Sequence, residues 1–187
     1  MKKRRSTKEP LSMCVQPSFI VGTYNEDGTY NFAPITWVSV TNEKDSYLIV
    51  ISMYGSKMTK QNVLRTGKMS LNLVSTDMLE LMDYLGSRHA KDGKKDALKY
   101  AVSKGEEVDV PCLDASRWVY ECEVINSVNT GLSTTFFCQI KNIQISEDLV
   151  LNCSRGCFFI SFVSPLPMQS GCRAVHLISA LRFHTIR

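Results

Sequence analysis

Between Gly55 and Asn62 the chain reads Gly-Ser-Lys-Met-Thr-Lys-Gln-Asn, a set of residue types suited to holding an anion. A short helix is expected to begin at Thr59 with that threonine as its N-cap, Arg65 in its last turn and Gly67 as its stop. The first turn of such a helix carries unpaired backbone N–H groups and the positive end of the helix dipole, which together attract phosphate or carboxylate. Lys57 adds a full charge just ahead of it, and Ser56, Thr59 and Asn62 add donors. Each part also has a purely structural reading, Thr59 as a cap and Lys57 as a solvated surface charge. No nucleophile-and-base pairing accompanies them: His89, His176 and His184 are not near a candidate nucleophile in sequence.

The surrounding elements read as strands. Phe19 to Tyr24 is closed by Asn25-Glu26-Asp27-Gly28, where Gly supplies the positive φ of a tight hairpin turn. Trp37 to Thr41 and Tyr47 to Met53 follow, the latter so continuously apolar that both its faces are expected to be buried. Met69 to Val74 is the next strand, and Asp77 caps a helix running to about Leu85. A polar, lysine-rich excursion spans Ser87 to Glu107, with a helix over Lys94 to Ser103. Trp118 to Ser127 and Phe136 to Ile145 complete the set, joined by a turn at Asn129-Thr130-Gly131. About six strands with two or three short helices, and no regular strand–helix alternation, predict an antiparallel barrel with excursions rather than a doubly wound parallel sheet.

Composition excludes several function classes. A chain of 187 residues with 44% hydrophobic content can build one core. The formal net charge of +4 is matched by the four arginines after Asp148, so the remainder balances and no basic face for nucleic acid is demanded. Lys2, Lys3, Arg4 and Arg5 form a short basic run without aromatics, read as a solvated N-terminal arm over residues 1–16. Glu9, Pro10 and Ser12 interrupt any secretory apolar stretch, and the run from Cys157 to Val163 is too short to span a bilayer. Seven cysteines, an odd number, point to free thiols in a reducing, cytoplasmic compartment, with Cys122 and Cys138 packing as small apolar residues.

Val21-Gly22-Thr23, Asp27-Gly28, Asn31-Phe32-Ala33-Pro34-Ile35-Thr36-Trp37, Ile49 to Ser52, Thr59-Lys60-Gln61-Asn62-Val63, Thr66-Gly67-Lys68-Met69 and Leu71-Asn72-Leu73 follow one another in order. In order and spacing they resemble the flavin reductase-like, FMN-binding split-barrel family, flavoredoxin-like, whose pattern runs G-T, D-G, N-x-A-P-x-S/T-W, a strand, T-x-x-N-I and a strand with V-N-L. Pro111-Cys112-Leu113 and Tyr120-Glu121-Cys122-Glu123 fit its later P-x-L and E-C segments. The resemblance implies a mainly β, antiparallel, Greek-key-like split barrel over residues 17–151, with FMN at a homodimer interface. It further implies that Ala33, Pro34, Thr36 and Trp37, on a loop, meet the isoalloxazine ring, that Ser52 and Met53 line the strand beneath it, and that Lys57, Thr59 and Asn62 hold the ribityl phosphate; Asn31 and the donor Ser56 are counted with them as cofactor-binding residues. Trp37 could equally be a core aromatic, and Met53 a wall residue. A dimer is also expected because the apolar segment Phe32 to Trp37 would otherwise be exposed.

Two stretches depart from that pattern. Leu132-Ser133-Thr134-Thr135 stands where the family commonly has a histidine, so no role for a histidine is carried over. Residues 152–187 form an atypical tail without lysine or acid, read as divergent or as a passage in another reading frame past about Gly156. Its Cys153, Cys157, Cys172, His176 and His184 have spacing within reach of zinc, but the tail lacks the Gly turns such sites use, and no metal is assigned. The expected activity is electron transfer through FMN, from NAD(P)H or a redox protein, with flavin binding without turnover as the alternative. No nucleic acid or membrane partner is expected.

Overall fold

The computed structural model describes residues 16–44, 46–87 and 100–149. The basic arm, the tail with its cysteines and histidines, His89 and most of the helix expected over Lys94 to Ser103 lie outside them. The elements in chain order are β1 (Phe19–Tyr24), β2 (Tyr30–Ile35), β3 (Val38–Glu43), β4 (Ser46–Tyr54), α1 (Met58–Thr66), β5 (Lys68–Leu73), a 3-10 turn (Thr76–Met78), α2 (Leu79–Ser87), β6 (Val102–Lys104), β7 (Pro111–Leu113), β8 (Trp118–Asn129), β9 (Ser133–Ile145) and a last 3-10 turn (Glu147–Leu149). Ser103, expected in a helix, is in strand β6, which pairs antiparallel with β7. The turn at Asp27-Gly28 forms as expected, with Gly28 at φ 82° and the Asp27 carboxylate accepting from the Thr29 N–H at 3.0 Å.

Seven strands make one antiparallel sheet in the order β2-β1-β5-β8-β9-β4-β3. Its two edge strands, β2 and β3, are consecutive in the chain and joined only by Thr36 and Trp37. A link that short can connect opposite edges only if the sheet curls until they meet. The fold is therefore a split barrel, closed covalently at one place where no ladder of hydrogen bonds closes it. Helix α1 carries the chain from β4 across to β5 and packs against β1 and β2.

Strand alternation divides the burial between two sides. Phe19, Val21, Ile49, Ile51, Met53, Met69, Leu71, Cys122, Phe136 and Cys138 face inward, joined by Val63 from α1. Ile20, Phe32 and Leu113 face outward and are covered by Met78, Leu81 and Leu85 from the α2 region. This second layer corrects the expected loop: Phe32 is fully buried and Ala33 to Ile35 continue β2, because α2 shelters that face. Strand β4 is buried on its inward face from Ile49 to Met53, whereas its outward face grades from buried Leu48 through half-buried Val50 and Ser52 to exposed Tyr54. Its apolar run thus overstates the cover on the second side. Cys112, Cys122 and Cys138 are free and buried, and burial pushes the Cys112 and Cys138 thiols up to about 12 and the Cys122 thiol up as well. They are protonated core residues, not nucleophiles.

Candidate functional site

A solvent-open cleft lies at the split, lined by Ala33, Pro34, Ile35, Thr36, Trp37, Ser52, Met53, Tyr54, Lys57, Thr59 and Lys60. Three segments assemble it: the end of β2 with its two-residue link, the end of β4, and the first turn of α1. The link is anchored by the Trp37 carbonyl, which accepts from the Ser52 N–H at 3.0 Å, while the Val38 N–H closes a tight turn on the Thr36 carbonyl at 2.9 Å. Trp37 stays 39% exposed on the wall, so it is not a core aromatic.

The N-terminus of α1 forms one end. Lys57, not Thr59, is the N-cap residue, and no side chain caps it. The donors of the first turn are therefore left to water or a ligand. Thr59 lies inside that turn and is buried, with its hydroxyl accepting from Asn31 Nδ2 at 2.7 Å. The accepted bond leaves the Thr59 hydroxyl proton available to the cleft it lines.

Asn31, Asn62 and Ser56 are placed differently from the sequence expectation, off the cleft wall. Asn62 is buried and donates both amide hydrogens backward, to Thr23 Oγ1 at 3.1 Å and to Asn25 Oδ1 at 2.8 Å. Together with Asn31 it ties α1 to β1, β2 and their turn, so its work is to fix the helix end. Ser56 is exposed, and its carbonyl accepts from Gln61 Nε2 at 3.3 Å.

Ile35, Tyr54 and Lys60 join the wall unforeseen. Tyr54 could have been found from strand alternation, being two residues beyond Ser52 on the same face, and Lys60 from lying one helical turn past Lys57. Thr135 contributes indirectly: opposite Ser52 in the β4–β9 register, it shares a 2.7 Å hydrogen bond with the Ser52 hydroxyl. Among the described residues, no aspartate or glutamate lines the cleft. Its chemistry is that of a mixed wall, apolar at Ala33, Pro34, Ile35, Trp37 and Met53, joined by two lysines and an uncapped helix.

The family model for the flavin reductase like domain matches residues 11–160. The chain belongs to that family. Among curated protein sequences nothing matches. Flavoredoxin of Desulfovibrio vulgaris (Miyazaki F) superposes with a TM-score of 0.72 at 20% identity, covering 80% of this chain and 80% of that one. Flavoredoxin from Methanosarcina acetivorans gives 0.69 at 21% identity, covering 79% of each chain. An FMN-binding protein from Thermus thermophilus, solved with 1-cyclohex-2-enone, gives 0.67 at 20% identity, covering 80% of this chain and 83% of that one. At these identities the likeness is one of fold: the antiparallel split barrel with few helices. Among the described residues, no helix is long and apolar enough to cross a membrane.

Proposed function

We propose that the cleft binds FMN and that the protein passes reducing equivalents through it, as an NAD(P)H-dependent flavin reductase or a flavoredoxin-like electron carrier. The observation that carries this reading is a cleft, without an acid among the described residues, that joins apolar side chains of β2, β4 and their link to an uncapped helix N-terminus with Lys57. That donor set fits the group. Lys57, the first-turn N–H groups of α1 and the Thr59 hydroxyl would hold a phosphate. Ala33, Pro34, Thr36, Trp37, Ser52 and Met53 would bound the ring. Bound FMN would supply the hydride and electron chemistry. The chain's own part is to bind the flavin, orient it, and offer N–H and O–H donors to charge developing on it.

A homodimer completing the cleft is part of the proposal. The expected exposed segment shrinks to Thr36 and Trp37, but Val40 on the adjoining edge strand β3, 66% exposed, adds apolar surface. A sedimentation mass of one 21.1 kDa chain at micromolar concentration overturns the dimer. Buried, protonated thiols support a reducing, cytoplasmic setting.

The test of the central claim is a flavin titration. FMN emission is quenched on adding protein and saturates near one flavin per chain; unchanged emission overturns the reading. NADH oxidation by the loaded protein, with and without oxygen, separates reductase from carrier.

A further inference from the structure

We propose that Asn31 is a positioning residue for the flavin phosphate: by donating to the Thr59 hydroxyl from behind, it obliges that hydroxyl to donate into the cleft and so favours a ligand that offers only acceptors there. This role rests on the FMN reading above and goes beyond it, because Asn31 itself does not line the cleft.

A hydroxyl has one proton and two lone pairs, so it can meet a ligand as donor or as acceptor. Which of the two Thr59 does depends on what lies on its inner side. Both residues are buried, and Asn31 Nδ2 on β2 donates to Thr59 Oγ1 on α1 at 2.7 Å. An amide nitrogen has no lone pair with which to accept. The Thr59 proton therefore cannot turn inward to Asn31. Among the described residues the hydroxyl makes no other hydrogen bond, and the cleft that Thr59 lines is the direction left open.

Asn31 is held in its turn. Its partner across the β1–β2 ladder is Thr23, whose hydroxyl donates to the Asn31 carbonyl at 3.4 Å and accepts from Asn62 Nδ2 at 3.1 Å. Asn62 lies three residues after Thr59, on the same side of α1, and also donates to Asn25 Oδ1 at 2.8 Å. The protons thus run in one sense, from Asn62 to Thr23, from Thr23 to Asn31 and from Asn31 to Thr59. Of these four residues Thr59 alone reaches the cleft.

A phosphate dianion accepts at its oxygens, whereas the terminal hydroxyl of riboflavin both donates and accepts and carries no charge. A donor fixed in one sense, beside Lys57 and the first-turn N–H groups, tells these two flavins apart. The ratio of FMN to riboflavin affinity is therefore the quantity that Asn31 raises.

Quenching of flavin emission with FMN and with riboflavin tests this, urea unfolding confirming that each variant is folded. Asn31→Asp keeps the shape, but its carboxylate only accepts, so the Thr59 proton turns inward; FMN affinity is expected to fall at least about tenfold, with riboflavin changed less than about threefold. Asn31→Leu removes the donor without adding a charge and is expected to lose about threefold for FMN alone, between the wild type and Asn31→Asp. Asn31→Leu combined with Thr59→Val should match Thr59→Val, since Asn31 reaches the phosphate only through that hydroxyl. Wild-type FMN affinity in Asn31→Leu overturns the proposal, and a loss confined to Asn31→Asp is then charge repulsion. Equal losses of FMN and riboflavin in Asn31→Leu overturn it as well, by showing that the helix end has moved, as does a larger FMN loss in the double variant than in Thr59→Val. Each of these leaves the flavin reading standing. Failure of FMN to bind the wild-type protein overturns the functional reading, and the positioning role with it.

Discussion

Two polar regions of this barrel are built on opposite plans. Around Glu121, five N–H donors converge on one carboxylate: the backbone of Glu106, Glu107 and Val108 at 3.1, 2.9 and 2.8 Å, and the side-chain amides of Asn142 and Gln144, each at 2.8 Å. At the split, the uncapped end of α1, Lys57 and Lys60 line a cleft in which no acid stands among the described residues. Both regions are dense in polar groups, so density does not mark a ligand site. What distinguishes them is satisfaction: the first has spent its hydrogen-bonding capacity internally and serves the fold, and the second has kept donors in reserve.

The largest expected effect belongs to the satisfied region. Glu121 is fully buried, at a register shift that places it opposite Asn142, and it fastens the Glu106–Val108 loop to the sheet. Glu121→Ala leaves several buried donors without an acceptor, so unfolding in urea should show a loss of at least about 3 kcal/mol. For a chain of this size that corresponds to a melting temperature lower by roughly 6–12 °C. FMN affinity of the fraction still folded should not change. A variant with wild-type stability would show that the cage contributes nothing, and the comparison would collapse.

The same carboxylate gives the next effect, through pH. Burial alone would raise its pKa, but the donors from Val108, Gln144, Asn142 and Glu107 outweigh it and hold the group at about 2, against 4.5 for an unperturbed glutamate. Because the folded value is the lower one, its stabilisation is present in full above the unfolded pKa and is lost as the pH falls from about 4.5 towards about 2. Linkage puts the amount at about 3 kcal/mol. Stability measured across this range should therefore fall in the wild type, and the fall should be smaller by about that amount in Glu121→Gln. Parallel curves for the two proteins would assign acid unfolding to other carboxylates.

Lys57→Ala tests the unsatisfied region. It removes a charge that nothing in the described residues pairs with, so stability should hold while FMN affinity drops about tenfold. Riboflavin, which lacks the phosphate, should bind as before, and Lys141→Ala should leave both ligands alone. Removing Thr59 as well would confuse the result, since its hydroxyl is the acceptor for buried Asn31 Nδ2. Equal losses for FMN and riboflavin would move the phosphate away from Lys57.

Much of this architecture was legible in the sequence, because local signals and tertiary context agreed. Phe19–Tyr24 came out residue for residue, and Gly67 stops α1 in the left-handed conformation at φ 68°. The misses occurred where tertiary cover overrides local pattern. The family resemblance implies a loop over residues 33–35, yet they continue β2, an edge strand where the N–H that Pro34 lacks costs little. Asn31 and Asn62 show why a sequence alone does not assign an amide's work: a buried structural amide and a ligand amide have the same sequence signature, and the partners found here are Thr59 for Asn31, and Thr23 and Asn25 for Asn62. Tyr54 and Lys60, both on the cleft wall, are legible only by carrying the pattern on, Tyr54 along the outward face of β4 from Ser52 and Lys60 one helical turn past Lys57.

The smallest expected effect lies where the two plans meet. The Ser52 hydroxyl lines the cleft but is bonded, at 2.7 Å, to the Thr135 hydroxyl on β9, and either oxygen can donate. If Thr135 accepts, Ser52 has no proton left to offer the cleft and presents lone pairs; if Thr135 donates, Ser52 keeps its proton for a ligand. Thr135→Val preserves shape and deletes that choice, so Ser52 becomes free to donate towards bound flavin. The net loss of one half-buried hydrogen bond is about 1 kcal/mol or less, and FMN affinity should change less than about threefold. The sensitive readout is the visible absorption band of bound FMN, which should shift in Thr135→Val and in Ser52→Ala. The double variant should match Ser52→Ala alone, because Thr135 acts on the cleft only through Ser52. Additive shifts would give Thr135 a separate route to the flavin, and no shift in either single variant would place the ring away from Ser52.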